Sequence, residues 1–296
     1  MPNDQTSTPN RDQRPFTWPP RSTSAPVVVE RTGQLHNHPG PAAIPLLVPR
    51  QSLWAAIEQA FLDLTAGPLA DRALDANWQP DDFSDYCNRC GLSLRPQEAA
   101  ASGCSSCRDV KLAWQRMVRL GPFNYPLREW VHEVKFTRWR RLGNDLGELL
   151  GQQLLSVQST AQDSSLPPVL VPVPDSGLRR IVRGIDHAMV IARGINHITG
   201  WSIATPLARR FGPSQLSVAP SQRASNVSKS FVLRSRYSCS HLAGRSIILV
   251  DDVCTTGATL RTCARLIANA CRTESKANLT TIWTAVLART EPDHLA

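Results

Sequence analysis

The stretch Ile247-Ile-Leu-Val-Asp251-Asp252-Val-Cys-Thr255-Thr256-Gly257-Ala258-Thr259 does most to limit how this chain can fold. Four apolar residues in a row read as a buried strand. Two carboxylates follow at its C-terminal end, then a loop of small residues, then the periodic segment Thr259–Ala270, which reads as a helix. A strand that runs through such a loop into a helix is the unit of a parallel α/β sheet. The same residues have a chemistry. Backbone N–H groups and the positive end of the helix dipole favour an anion in the loop. Gly257 lets the backbone approach it, and Thr255, Thr256 and Thr259 add hydroxyls. Asp251 and Asp252 are ill suited to phosphate, but suit ribose hydroxyls or positive charge developing on a sugar ring. Together they describe a ribose 5-phosphate pocket at the carboxyl ends of the strands. No GxxxxGK[ST] occurs, so the loop is not a P-loop.

Elsewhere the periodicity alternates between strand and helix. Leu53, Trp54, Ile57, Ala60, Phe61 and Leu64 lie at helical spacing, and a second helix is expected around Val110–Leu120. Residues 126–155 carry a helical period broken at Lys135-Phe136-Thr137-Arg138, and residues 186–198 also read as helix. Val169–Val173, Ile203–Ala208, Phe231–Leu233 and Thr281–Leu287 read as strands. Polar residues 158–168 and 212–230 read as loops. Ten of the 23 prolines fall in the first 50 residues, which removes backbone donors there and predicts a disordered tail. The expected organisation is therefore a tail over 1–50, a helix with a cysteine module over 51–120, and an α/β domain over 121–296.

Cys87-Asn-Arg-Cys90 and Cys104-Ser-Ser-Cys107 are two CxxC knuckles separated by 13 residues. Matched pairs at this spacing can give four thiolates to one tetrahedral ion, which reads as Zn²⁺. All four positions are filled by protein, so the expected role is structural. Cys239, Cys254, Cys263 and Cys271 read as small buried hydrophobes.

The formal net charge is +9. Residues 111–236 hold 18 Lys+Arg and 7 Asp+Glu, a local +11, and the rest hold 15 and 17, a net −2. That distribution points to an anionic partner near the presumed site. No apolar run approaches the roughly 20 residues of a membrane helix, and the N-terminus lacks a signal-like apolar region. A cytoplasmic protein without membrane insertion is expected.

The motif of the opening paragraph resembles the phosphoribosyl pyrophosphate (PRPP) signature of type I phosphoribosyltransferases. Further motifs narrow the resemblance: Lys135-Phe136, Val171-Pro-Val-Pro174, Arg179-Arg180, Arg183-Gly184, the series Gln215, Arg223, Asn226 and Phe231, and Ala288-Arg289-Thr290. With the cysteine knuckles in front, their order resembles the competence protein F (ComF) family of phosphoribosyltransferase-like proteins, over roughly residues 51–296. The resemblance implies a type I phosphoribosyltransferase fold behind a zinc module. Asp251 and Asp252 would hold the ribose, and Thr255, Thr256, Gly257, Ala258 and Thr259 the 5′-phosphate. Pro174, Asp175 and Ser176 would form the pyrophosphate loop, and Arg223 would close over pyrophosphate as a bidentate donor. Mg²⁺ would bridge PRPP oxygens with few protein ligands. The family is linked to DNA uptake, which brings in two further partners: single-stranded DNA and competence machinery.

Two readings stay open for two places. Asp186 and His187 stand where the family carries amides: either a helix start with Asp186 favouring the dipole, or a histidine beside the reacting base or pyrophosphate. Lys135, Arg138, Arg140 and Arg141 are either a solvated helix face or an anion-binding face with Trp139 offered to nucleic acid. Ala270 stands where a glycine often ends the family's helix.

Overall fold

The computed structural model describes residues 53–95, 98, 103–137, 139–158, 166–175, 186–210, 230–234, 242, 244–274 and 281–292. The presumed tail, Ser176, Arg179, Arg180, Arg183, Gly184, Gln215, Arg223, Asn226, Cys239 and Arg138 lie outside the described residues.

Five parallel strands form the main sheet: β1 (Arg116–Pro122), β2 (Val169–Pro172), β3 (Ser202–Ile203), β6 (Ile247–Cys254) and β7 (Ile282–Arg289), in the order β1-β7-β6-β2-β3. Alternate side chains of the strands face opposite ways. Leu170, Ile248, Val250, Trp283 and Leu287 enter one core, against α2 (Leu69–Asp75), α3 (Leu127–Phe136), α4 (Arg140–Gln158) and α5 (His187–Thr199). Val169, Val171, Ile247, Leu249 and Val286 enter the other, against α6 (Ala258–Glu274). On α6 the buried stripe is Leu260, Cys263, Ala264, Ile267 and Cys271, at helical spacing. Burial on both faces is what a parallel sheet requires. A short antiparallel pair, β4 (Leu207–Arg209) with β5 (Phe231–Leu233), packs on the α6 side.

Helices α4 and α5 touch backbone to backbone. A Cβ on Gly194 would lie 2.1 Å from the Asn144 carbonyl oxygen, and one on Gly147 2.4 Å from that of Ile191. Only hydrogen fits there, so these glycines set how closely the layer above the sheet can pack.

Several expectations change. The helix expected around Val110–Leu120 is strand β1 instead: Met117 fills one core and Val118 and Leu120 the other, while its backbone pairs with β7. A short apolar run does not by itself separate helix from strand, and a sheet edge open to pairing decided it. The boundary expected at 120 falls inside this strand. Ile203–Ala208 is two strands in two sheets, parted at Ala204–Pro206. Helix α6 runs through Ala270 to Glu274, so Ala270 is no helix end. Along α1 (Leu53–Thr65), Ile57, Phe61 and Leu64 are exposed, while Leu62 packs on the core and Asp63 accepts from Trp139 Nε1 at 2.8 Å.

Candidate functional site

Strands β2 and β6 are neighbours, yet the chain leaves β2 for β3 on one side and later returns to β6 on the other. That reversal opens a crevice at the carboxyl ends of the two strands. The Asp251–Asp252 pair lies there, and so does Asp175, just past β2. Strand β6 carries the acids itself, since Asp251 pairs with Val286 and Cys254 with Arg289. Their carboxylates brace the strand end: Asp251 Oδ1 accepts from the Asp252 N–H at 3.0 Å, and Asp252 Oδ1 from the Val253 N–H at 2.6 Å.

Burial first, then the neighbouring Asp252 charge and more weakly Asp175, push the Asp251 carboxyl well above the ordinary range. The Asp252 N–H and Lys135 act the other way. Lys135 Nζ is 3.0 Å from Asp252 Oδ2, and Arg209 Nη1 is 3.9 Å from Asp175 Oδ1. Lys135 therefore faces the acid pair, which neither reading of the basic run anticipated. Its spacing, four residues after the buried Val131 on α3, held no such signal. The rest of that reading also changes. Trp139 is 3% exposed and Arg72 lies 5.3 Å from its ring centroid, so its faces are not offered to a base.

After β6 the chain turns through Thr255, Thr256 and Gly257 into α6. Gly257 has φ +71°, the left-handed region where a side chain is strained. Its α-carbon also sits under Trp114: a Cβ there would be 3.1 Å from the indole. Thr256 Oγ1 accepts from the Ala258 N–H at 3.4 Å, and the first N–H groups of α6 face out of the helix without intrahelical acceptors. Thr255 and Thr256 are exposed, as an anion loop needs.

The four cysteines of the knuckles converge and are buried. Cys87 and Cys107 sulfurs are 3.6 Å apart, Cys90 and Cys104 3.4 Å, Cys104 and Cys107 3.8 Å, and all four lie within 4.8 Å of one another. A tetrahedral Zn²⁺ with bonds of about 2.3 Å has sulfur–sulfur edges of about 3.8 Å, so the donor set fits. A hydrogen bond from the Cys90 side chain above all, then backbone N–H groups, lower the Cys87 thiol, while that same bond and burial raise the thiol of Cys90. Purified protein is expected to carry about one zinc per chain by mass spectrometry, and Cys87→Ser to lose it.

This cluster is not a free-standing module. Gly91, φ +75°, is overlaid by Met117 of β1, and the Met117 N–H donates to the Asn88 carbonyl at 2.8 Å. At the end of β7, Arg289 reaches both ways. Its Nε donates to the Cys90 carbonyl at 3.1 Å, and its Nη1 to the carbonyls of Cys254 (2.9 Å), Thr290 (2.9 Å) and Thr255. Trp114 Nε1 donates to the Arg89 carbonyl at 2.8 Å while its ring covers Gly257. A cavity of about 200 Å³ lies between knuckles and loop, bordered by Cys90, Cys107, Trp114, Thr256 and Arg261.

Asp186 is a helix cap: it precedes α5 and accepts from the Met189 N–H at 3.2 Å. His187 is 4% exposed. Cys254, Cys263 and Cys271 are buried as expected, and burial pushes the Cys254 thiol up to about 11.

Residues 155–293 match the model of the phosphoribosyl transferase domain family. Among curated proteins, DNA utilization protein YhgH of Salmonella typhimurium is 29% identical over 183 residues, covering 61% of this chain and 77% of that protein. Competence protein F of Haemophilus influenzae is 27% identical over 184 residues, covering 62% and 78%. Among solved structures, the allosteric regulatory enzyme of purine biosynthesis aligns with 53% of this chain and 30% of its own, at 18% identity and a TM-score of 0.32. Among the described residues, no helix is long and apolar enough to cross a membrane.

Proposed function

We propose that this chain, which resembles competence protein F and matches the phosphoribosyl transferase domain over residues 155–293, binds PRPP or a related ribose 5-phosphate at the β2–β6 crevice. The observation that carries the reading is the acid pair at the end of a buried strand, directly followed by a loop with exposed threonines and a left-handed glycine. In it Thr255 to Thr259 hold the 5′-phosphate, Asp251 and Asp252 the ribose hydroxyls, and Pro174, Asp175 and Ser176 the pyrophosphate side, with Arg223 as its closing cation.

The reaction that suits this set is phosphoribosyl transfer to a nitrogen nucleophile. The C1′–O bond breaks with its electron pair leaving on pyrophosphate, the N–C1′ bond forms, and the nucleophile gives up a proton to water. Asp252 stabilises the cation-like ring by charge, Asp251 hydrogen-bonds the ribose beside it, and positioning supplies the remaining rate. Mg²⁺ bound with PRPP would supply neutralisation of phosphate charge. Before binding, Lys135 holds Asp252; when the ribose arrives, this lysine is free to turn to the phosphates.

Calorimetric titration with PRPP, with and without Mg²⁺, tests the proposal. Saturable, Mg²⁺-dependent binding is expected, weakened about tenfold or more in Asp252→Asn through loss of a charged hydrogen-bond acceptor. No heat at millimolar PRPP would sink it. A second reading, a DNA-handling protein without turnover, is favoured by the relatives' names and by the basic excess of residues 111–236. It predicts single-strand affinity that falls steeply with salt. A cytoplasmic location belongs to both readings, since four reduced thiols suit a zinc site there.

A further inference from the structure

We infer that Arg289 is a positioning residue that couples the anion loop to the four-cysteine site, so that a ligand phosphate in the loop slows loss of the metal. The inference rests on the ribose 5-phosphate reading above and adds a regulation to it.

One guanidinium holds both places. It is planar, and its donors leave it in a fixed fork. One prong ends on the carbonyl of Cys90, and the other on the carbonyls of Cys254, Thr255 and Thr290. A shift of the loop therefore cannot leave Cys90 untouched unless a hydrogen bond breaks. Trp114 repeats the connection one residue earlier, with its Nε1 on the Arg89 carbonyl and its ring on Gly257. The first knuckle is thus held from two sides by groups that also touch the loop. An anion seated on the loop N–H groups fixes those peptides, and with them the carbonyls that hold Arg289. Fixing Arg289 fixes the Cys90 peptide, whose opening is a step in metal release. In equilibrium affinities such coupling is reciprocal, so a ligand that tightens the metal is itself held more weakly once the metal is gone.

The test uses the full-length, zinc-loaded protein. Zinc release to an excess of a chromogenic chelator is followed with and without saturating ribose 5-phosphate, with ribose as the control. Binding of ribose 5-phosphate is measured separately by calorimetry. Release is expected to slow about fivefold or more with ribose 5-phosphate and not with ribose. Arg289→Lys keeps the charge but not the fork, and is expected to release zinc faster without ligand and to lose most of the ligand effect. Trp114→Phe removes the bond to Arg89 and trims the ring that covers Gly257, and serves if the arginine variant does not fold; it too is expected to reduce the ligand effect. A purely structural arginine would alter release without making it respond to the ligand. If ribose 5-phosphate binds and release is unchanged, or if Arg289→Lys keeps the full slowing, the coupling is overturned. If neither ribose 5-phosphate nor PRPP binds, the proposed function falls instead. The coupling then falls with it, whereas binding with unchanged release overturns the coupling alone.

Discussion

Replacing Arg119 by methionine is expected to lower the free energy of unfolding by about 3–5 kcal/mol, the usual cost of removing one partner from a buried ion pair. Arg119 lies mid-strand in β1 with 0% exposure. Its Nη1 donates to Glu291 Oε1 at 2.8 Å, and its Nη2 to Asp81 Oδ2 and to Ser93 Oγ, both at 2.8 Å. The guanidinium also stands 5.0 Å from the ring centroid of Tyr86, whose phenol burial pushes upward. Methionine fills similar space but leaves two carboxylates facing apolar surroundings. Glu291 would then keep only Ser93, whose N–H and Oγ donate to it at 3.0 and 2.9 Å. Urea unfolding at saturating zinc measures the loss, and a change below about 1 kcal/mol would show that the cluster does not hold the fold. Adding Asp81→Asn and Glu291→Gln to the methionine variant should recover part of the stability, because the stranded charges go.

Asp251→Asn is expected to act in opposite directions on stability and on binding. Burial and the Asp252 charge raise the folded-state pKa of Asp251 well above the unfolded value. The folded state therefore binds this proton more tightly than the unfolded one. Its contribution to stability is complete below the unfolded pKa of about 3.9 and is lost as pH rises through the folded pKa. Asparagine has no such titration. The melting temperature of the variant minus that of wild type should be small near pH 4 and grow as the pH rises. Zinc loss in acid affects both proteins and cancels in the difference. At neutral pH the same variant should bind PRPP about tenfold more weakly, since a carboxyl acceptor for a ribose hydroxyl is gone. A difference that shrinks with rising pH would contradict the assigned burial of this carboxylate.

Much of the main sheet was legible because its strands announce themselves locally. Ile247–Val250 is apolar on both faces, and the turn into α6 carries its glycine at the one left-handed position. The cysteine pairs were legible for the same reason, since ligand spacing is a local property. What the sequence hid were partners far apart along the chain. Arg119 looks like one more surface cation, and only the approach of Asp81 and Glu291 makes it a core residue. Lys135 reads as part of a basic run until α3 is laid beside β6. Trp139 looked available for stacking until Arg72 and Asp63 covered it. Strand β1 read as helix because its pairing partner lies about 167 residues later. The glycines of α4 and α5 gave no warning either, as close helix contact appears only when both helices are in place.

That late partner bears on how the protein is made. The cysteine knuckles and β1 leave the ribosome early, but the groups that seat them, Arg289 and Glu291, come with the end of β7 or just after it. Nascent chains can gather metal on four thiolates long before any platform exists to hold it. A contact between residues this distant pays loop-closure entropy late and slows folding. Synthesis interrupted before β7 should therefore release a fragment whose metal site is loose and whose sheet edge is bare. Such a fragment would be a substrate for quality control and not a working zinc protein.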